Sequence, residues 1–175
     1  GAATSPRIAN LVMQSLDETL QNYATENDLM YSRYADDLVF SSKGVFDRPQ
    51  ATQHIKAINT CIAEEGFWLN TAKTKIVTPG ARKIVLGLLV DGDTPRLSKA
   101  YKKHVNDHLY YLAHPKIDAT THATRRGFHS LQGLINHIGG KIAYGFSIEP
   151  DWANEHGKRL KVICAKLQVD HVLFP

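Results

Sequence analysis

Two adjacent carboxylates, Asp36 and Asp37, stand between two short apolar-rich runs at residues 30–35 and 38–42. Runs of this length separated by turn-forming residues predict two strands joined by a very short turn. Carboxylates on an exposed turn between rigid strands can hold a divalent cation such as Mg²⁺, which prefers oxygen ligands. Asp-Asp is also common in ordinary solvent-facing turns, so the pair alone does not decide between metal binding and turn formation.

The elements around this hairpin alternate between helices and strands. Ser5 is expected to cap a helix that has Pro6 at its first position and runs to about residue 25. A second helix is expected over about residues 48–65, with Gly66 at its C-terminal end. Short strands are predicted at residues 67–70, 75–78 and 83–90, the last turned by Asp91-Gly92. The fold class is therefore α+β with an antiparallel sheet.

Pro95 is predicted to mark a boundary, because strand patterns fade after it and helical spacing begins. Three helices are expected, over residues 98–113, about 124–143 and 150–168. They predict a small helical bundle attached to the sheet domain. The chain is therefore divided into residues 1–94 and 95–175.

Charge is distributed unevenly between these two parts. Residues 1–94 hold 9 Lys and Arg against 11 Asp and Glu, a net charge of −2, whereas residues 95–175 hold 12 against 6, a net charge of +6. This asymmetry fits a carboxylate-bearing site followed by a surface for a polyanion. A solvated helix surface explains the basic charge equally well.

Composition excludes some classes of protein and site. No apolar run approaches the roughly 18 residues that span a bilayer, and no signal peptide is visible, so we expect a cytoplasmic protein without membrane contact. Cys61 and Cys164 match no zinc spacing. The nine histidines are interpreted as scattered, so no structural metal site is expected.

Four blocks of sequence, in order, resemble reverse transcriptases. Residues 31–42 read Tyr-Ser-Arg-Tyr-Ala-Asp-Asp-Leu-Val-Phe-Ser-Ser, similar to the family's Tyr-x-Asp-Asp catalytic hairpin. Residues 1–6, Gly-Ala-Ala-Thr-Ser-Pro, resemble the Gln-Gly-x-x-x-Ser-Pro element without its Gln. Residues 65–75 resemble the Gly-Phe-x-Leu-Asn-x-x-Lys-Thr block, and residues 85–90 the primer-grip block. The resemblance implies a polymerase palm ending at residue 94, followed by a helical thumb.

Within that family the chain is most similar to bacterial retron-type enzymes, which carry Arg-Tyr-Ala-Asp-Asp in the hairpin. Residues 131–144, Leu-Gln-Gly-Leu-Ile-Asn-His-Ile-Gly-Gly-Lys-Ile-Ala-Tyr, resemble their thumb. Leu86 departs from the Thr that retron enzymes usually carry in the grip. A group II intron relative and a phage-defence relative therefore stay open.

The resemblance implies roles for individual residues. Asp36 and Asp37 would be catalytic metal ligands in a site for two Mg²⁺ ions, and Lys73 would stabilise or protonate the pyrophosphate leaving group. The expected nucleotide and template contacts are Gly1, Ala2, Ser5, Tyr34 and Ala35. The expected primer grip comprises Leu86, Gly87 and Leu88. Nucleic-acid backbone contacts are expected from Lys102, Lys103, Arg125, Arg126, Lys141, Lys158 and Arg159.

The implied reaction is RNA-directed DNA synthesis, with an RNA template, a DNA or RNA primer and dNTPs as partners. The family draws a further metal-binding Asp from a strand that precedes the Gly-x-x-x-Ser-Pro element. We therefore expect this polypeptide to be inactive alone and to need an N-terminal reverse transcriptase portion, either from the same gene or as a separate chain. The alternative is a non-catalytic nucleic-acid-binding or assembly subunit that keeps the fold. A viral RNA-dependent RNA polymerase is disfavoured, because such enzymes more often carry Gly-Asp-Asp.

Overall fold

A computed structural model describes residues 2–44 and 47–170. The chain divides into two compact units, Gly1–Ala81 and Arg82–Pro175. The boundary in the sequence thus lies between residues 81 and 82, whereas 94 and 95 were expected. The short strands between these positions belong with the helices that follow. Leu88, for example, pairs with Leu97 in an antiparallel ladder, and the Leu97 backbone N–H donates to Glu149 Oε1 at 2.9 Å. The assignment of these units to a palm and a thumb stays a prediction.

The first unit begins with two successive helices, where the sequence predicted one. Its elements are α1 (Ser5–Val12), α2 (Gln14–Glu26), β1 (Leu29–Tyr34), β2 (Asp37–Ser42) and α3 (Arg48–Glu64). Met13 interrupts the helix, although Met13 N still donates to Ala9 O at 3.0 Å. Ser5 is not the N-cap: Thr4 is already in the right-handed helical region, and no side chain caps the helix. Ser5 is therefore the first helical residue.

β1 and β2 form the predicted antiparallel hairpin, in which Tyr34 pairs with Asp37. The turn consists of Ala35 and Asp36 rather than Asp36 and Asp37, because Asp37 is already the first residue of β2. Leu29 at the far end of β1 is buried. The hairpin therefore has its two-residue turn at one end, and the other end is buried at Leu29.

α3 begins at a capping box, in which Asp47 accepts from Gln50 N and the Gln50 side chain accepts from Asp47 N. It ends as predicted at Gly66, whose φ is +79°. The two strands predicted at residues 67–70 and 75–78 do not form. Between them, Thr74 N donates to Asn70 O at 3.1 Å, which closes a turn. The flanking residues make no strand pairing within the described part of the chain.

The second unit contains a short three-stranded antiparallel sheet and a helical bundle. Its elements are β3 (Ile84–Val85), β4 (Leu88–Leu89), β5 (Arg96–Leu97), α4 (Lys99–Ala113), α5 (Ala119–Arg125), α6 (Leu131–Phe146) and α7 (Pro150–Leu167). The strand predicted over residues 83–90 is in fact a hairpin turning at Leu86 and Gly87, whose φ values are +50° and +82°. Asp91-Gly92 lies in the next connection, between β4 and β5.

Helix formation in the second unit also differs from the sequence prediction in one place. The helix expected over residues 124–143 is split into α5 and α6. Gly127 at φ +81° ends the first, and the Ser130 hydroxyl caps the second by accepting from Gly133 N at 3.0 Å. The bundle therefore contains four helices among the described residues. None of these helices, nor any in the first unit's described part, is long and apolar enough to cross a membrane.

Candidate active site

Asp36, Asp37 and Lys73 line one cavity of about 730 Å³ in the first unit. α1 forms one wall, the β1–β2 turn a second, and the loop after α3 a third. The further lining residues are Ser5, Ile8, Ala9, Val12, Met13, Leu16, Ala35, Leu38, Ile62, Phe67, Trp68, Leu69, Asn70 and Thr74. Two aspartates and one lysine thus share a largely apolar concave surface.

The two carboxylates are exposed, Asp36 in the turn and Asp37 at the start of β2. Their oxygen donors suit Mg²⁺, which keeps several waters where protein ligands are few. Among residues 2–44 and 47–170, no group of three or more His, Cys, Asp or Glu side chains is placed to hold a metal ion. The chemistry of the donors therefore fits the ion, whereas their number supplies only part of a coordination shell.

The turn that carries these carboxylates has an unusual backbone. Ala35 has φ +52°, in the left-handed region that residues with a Cβ atom rarely adopt. Tyr34 before it is 67% exposed, so its ring is not held by the core. The shape of the turn must therefore be maintained by contacts other than burial.

Arg33 supplies such contacts, although no role for it was predicted from the sequence. Its Nη1 donates to Ala35 O at 2.9 Å and to Asn10 Oδ1 at 3.2 Å. Nε and Nη2 donate to the two carboxylate oxygens of Asp17 at 2.7 and 2.5 Å. The hydrogen bonds from Arg33 hold the pKa of Asp17 below its usual range. The one feature of the sequence that could have indicated this role is an arginine within a predicted strand, three residues before the carboxylates.

Of the other residues expected at this site, Ser5 lines the cavity and Ala2 does not. Ala2 instead accepts a hydrogen bond from Ser5 N through its carbonyl oxygen at 3.0 Å. Gly1 lies outside the described residues. The Lys73 side chain is exposed, and its backbone N–H donates to Asn70 O at 3.1 Å. The structure therefore brings Ser5, Ala35 and the charged residues together around one cavity.

The apolar part of this surface is open to solvent. On α1, the lining residues Ile8 and Val12 are 56% and 60% exposed, and Leu11, outside the lining, is 65% exposed. Trp68, in the loop after α3, is 90% exposed. Large apolar side chains gathered at one concave surface are typical of a surface that binds something.

The expected primer-grip residues Leu86, Gly87 and Leu88 form the β3–β4 turn and the start of β4, in the second unit. Leu86 is 51% exposed and Leu88 half-buried. Because Leu86 sits at the tip of a tight turn, its side chain is available for contact.

The basic residues of the second unit have different surroundings. Arg125, Arg126 and Lys158 are exposed. Lys102 pairs with Glu149, Lys103 pairs with Asp107, Lys141 Nζ lies 4.7 Å from the centre of the Tyr101 ring, and Arg159 donates to Asn106. Contacts of all seven with nucleic acid stay a prediction, and Lys102 would have to share its charge with Glu149.

The histidines are less scattered than their positions in the sequence suggested. His104 and His108 lie one turn apart on α4, at a His-x-x-x-His spacing that was overlooked in the sequence. His108 Nδ1 lies 3.1 Å from His122 Nε2, and the His137 ring centre is 5.8 Å from that of His104. Burial, with the neighbouring positive charges, lowers the pKa of His108 to about 4. These rings therefore form a neutral cluster near pH 7.

Several known proteins are similar to this chain in sequence. Residues 1–132 match the family model for reverse transcriptase (RNA-dependent DNA polymerase). The Retron Ec86 reverse transcriptase of Escherichia coli is 30% identical over 96% of this chain and 46% of its own length. The Retron Mx65 enzyme of Myxococcus xanthus is 30% identical over 92% of this chain and 34% of its own. The Retron Ec83 enzyme of Escherichia coli is 28% identical, over 86% and 44%. The chain spans less than half the length of these relatives.

Proposed function

This chain belongs to the reverse transcriptase family and is of the retron type, and on that premise we propose that it is part of an RNA-directed DNA polymerase. It would extend a DNA or RNA primer on an RNA template, with dNTPs as substrates. The observation that carries the proposal is the joint position of Asp36, Asp37 and Lys73 around one cavity.

Asp36 and Asp37 would hold the divalent ions, two Mg²⁺ in the complete site. When bound, such ions activate the attacking oxygen and neutralise charge on the transferred phosphoryl group. Lys73, an exposed residue that lines the same cavity, would stabilise or protonate the departing pyrophosphate. Tyr34 and Ala35 would lie beneath the primer terminus, and the small side chain of Ala35 leaves room for a nucleotide.

The second unit would hold the template and primer. Leu86 to Leu88 would contact the primer strand, and the exposed basic residues would contact phosphates without reading sequence. Affinity from such contacts falls as salt rises, which suits a surface that must let the duplex slide.

The proposed polymerase needs an N-terminal reverse transcriptase portion to complete this site. Two carboxylates on one turn cannot by themselves enclose two Mg²⁺ ions. The exposed apolar side chains of α1 and Trp68 beside the same cavity also support a covering partner. That portion would contribute the further ligand and bury part of this apolar surface.

The decisive experiment is the double substitution Asp36→Asn and Asp37→Asn in the complete assembly. Loss of both metal-binding charges should lower dNTP incorporation on an RNA template by roughly a thousandfold or more, since a metal stabilises the transition state by several kcal/mol. Asp28→Asn is the matched control, because Asp28 is an exposed carboxylate in the same unit outside the cavity. RNA binding should be retained in both variants.

If cDNA synthesis survives the double substitution, the catalytic proposal is wrong. A non-catalytic nucleic-acid-binding or assembly subunit would then be favoured. The need for a partner has its own test: Mg²⁺-dependent dNTP incorporation by the purified 175-residue chain alone would refute it.

A further inference from the structure

The turn between β1 and β2 has a geometry that its own residues do not favour. Ala35 adopts φ +52°, although its Cβ atom disfavours the left-handed region. Asp36 and Asp37 follow immediately and are exposed, so no core packing fixes their carboxylates. Metal-binding carboxylates, however, must be held to within about 0.5 Å of the productive geometry.

The Arg33 guanidinium reaches this turn from the preceding strand. Its side chain is only 8% exposed, and its Nη1 donates to the Ala35 carbonyl at 2.9 Å. The carbonyl belongs to the peptide that links Ala35 to Asp36. A hydrogen bond at that peptide restrains the rotation by which the turn would relax.

Arg33 is itself fixed from the opposite side. Nε and Nη2 make a two-point contact with the Asp17 carboxylate on α2, and Nη1 also donates to Asn10 Oδ1 on α1. The Tyr31 hydroxyl donates to Asp17 Oδ1 at 2.7 Å, so the carboxylate is held as well. Two helices and a strand therefore position one guanidinium group, whose Nη1 also donates to the turn.

We propose that Arg33 is a positioning residue, which orients Asp36 and Asp37 for metal binding by restraining the Ala35 peptide. This inference rests on the proposed polymerase function. Only a planar fork of donors satisfies Asp17, Asn10 and the Ala35 carbonyl together. A lysine keeps the charge but cannot make the two-point contact and the turn contact from one fixed group.

The test compares Arg33→Lys with wild type in the complete polymerase, with single-turnover dNTP incorporation measured across a Mg²⁺ titration. Substitutions at groups that orient metal ligands typically cost 10- to 100-fold in metal affinity or activity. We expect the maximal rate of Arg33→Lys to fall by about 10- to 100-fold, and the Mg²⁺ concentration for half-maximal rate to rise. Affinity for template–primer should not change.

Arg96→Lys is the matched control, since Arg96 makes an exposed ion pair with Asp91 at 2.5 Å in the other unit. It should leave rate and Mg²⁺ dependence unaltered. Asp17→Asn is the second variant, because it keeps the shape of the acceptor and weakens the grip on Arg33 without removing it. Asp17→Asn should raise the Mg²⁺ requirement less than Arg33→Lys does. If Arg33→Lys folds poorly, Asp17→Asn still tests the positioning role.

Hydrogen exchange provides a readout that does not depend on catalysis. Amides of residues 34–38 should exchange faster in Arg33→Lys than in wild type, whereas those of α3 should not. A rate loss that only tracks the folded fraction, with unchanged Mg²⁺ dependence and unchanged exchange at the turn, would overturn the positioning role. Faster exchange at the turn with full polymerase activity would also overturn it. An inactive wild-type assembly would instead refute the proposed function.

Discussion

The first unit carries the candidate active site on a small core, whereas the second unit buries a much larger one. Among the described residues, the first unit's apolar cluster comprises Leu16, Leu20, Ile58 and Ile62. The second unit's cluster comprises Val105, Leu109, Leu112, Ala119, Ala123, Leu134, Ile135, Ile138, Ile142, Ala153, Leu160, Ile163 and Cys164. Hydrophobic burial is the main source of folding stability, so the two units should differ in how well they fold unaided.

The difference is greatest where the chemistry is expected. α1 leaves Ile8 and Val12 exposed at the cavity that Asp36 and Asp37 line, whereas α6 buries Leu134, Ile135, Ile138 and Ile142 on its inner face. The proposed N-terminal portion would cover the open apolar surface of the first unit. The helices of the second unit need no such cover, because they bury one another's apolar faces.

The largest expected effect is a difference in autonomous folding. A fragment of residues 82–175 should unfold cooperatively on heating, because its helices close a core of their own. A fragment of residues 1–81 should show a broad transition and bind the dye ANS through its exposed apolar side chains. Circular dichroism and dye fluorescence measure both. A sharp transition in residues 1–81 would show that its small core is enough for cooperative folding. The two units would then not differ in autonomous folding.

A smaller effect is expected from Gly145→Ala, which tests how tightly the second unit is packed. A Cβ atom at Gly145 would lie 2.5 Å from Trp152 Cζ3 and 3.4 Å from Leu97 Cδ1. Overpacking of this kind costs about 1–3 kcal/mol of unfolding free energy. Urea denaturation should therefore show a lower midpoint.

Gly140→Ala is the control on the same helix, because nothing lies within 4 Å of the position that its new methyl group would take. Removing backbone freedom there should stabilise the protein by roughly 0.5–1 kcal/mol. Equal effects of the two substitutions would mean that packing around Trp152 is looser than described.

The histidine cluster predicts that acid destabilises the second unit more than the first. His108 has a folded pKa of about 4 against an ordinary value of 6.5, so the unfolded chain binds protons more readily. Stability is therefore complete above about pH 6.5 and falls as pH approaches 4. The neighbouring groups that face this cluster are His104, His122, His137, Arg126, Lys141 and Asp107.

Denaturation of residues 82–175 at pH 7 and pH 5 should show a loss on the order of 1–2 kcal/mol. His108→Gln should reduce this pH dependence, whereas His129→Gln, at an exposed histidine, should leave it unchanged. A pH dependence that survives His108→Gln would place its origin elsewhere.

The last prediction concerns Leu86, an exposed apolar residue at the turn of the β3–β4 hairpin. Leu86 and Gly87 both have positive φ, and Asn-Gly suits such a turn better than Leu-Gly. Leu86→Asn should therefore raise the unfolding free energy by about 1 kcal/mol. Leu86→Ala removes the side chain without relieving the backbone. If primer extension falls in both variants while stability rises in only one, Leu86 is kept for contact with the primer.

Local patterns in the sequence predicted much of the fold. The α+β class is confirmed, and so are the β1–β2 hairpin, the end of α3 at Gly66 and the helix expected over residues 98–113, each of which depends on neighbouring residues. The strands expected at residues 67–70 and 75–78 were wrong. A strand forms only where a second strand is available for hydrogen bonding, and a short apolar run does not show whether such a strand is present.

The site was predictable only where a block of sequence carried it. Asp36, Asp37 and Lys73 were named from such blocks, and the structure places all three around one cavity. Arg33 was missed because its role depends on Asn10 and Asp17, which lie on helices far from it in sequence. The exposure of α1 was also unpredictable, since helical spacing marks an apolar face without indicating what covers it.

The chain contains two tryptophans, one in each unit. Trp152 is half-buried and stacks on His156 at 4.4 Å between ring centres, whereas Trp68 is 90% exposed beside the cavity. Their indole emission should therefore differ in wavelength, with the red-shifted part coming from Trp68. A partner that covers the apolar wall would shift only that part to the blue. The protein thus carries its own optical reporter for the binding of such a partner, with no label attached.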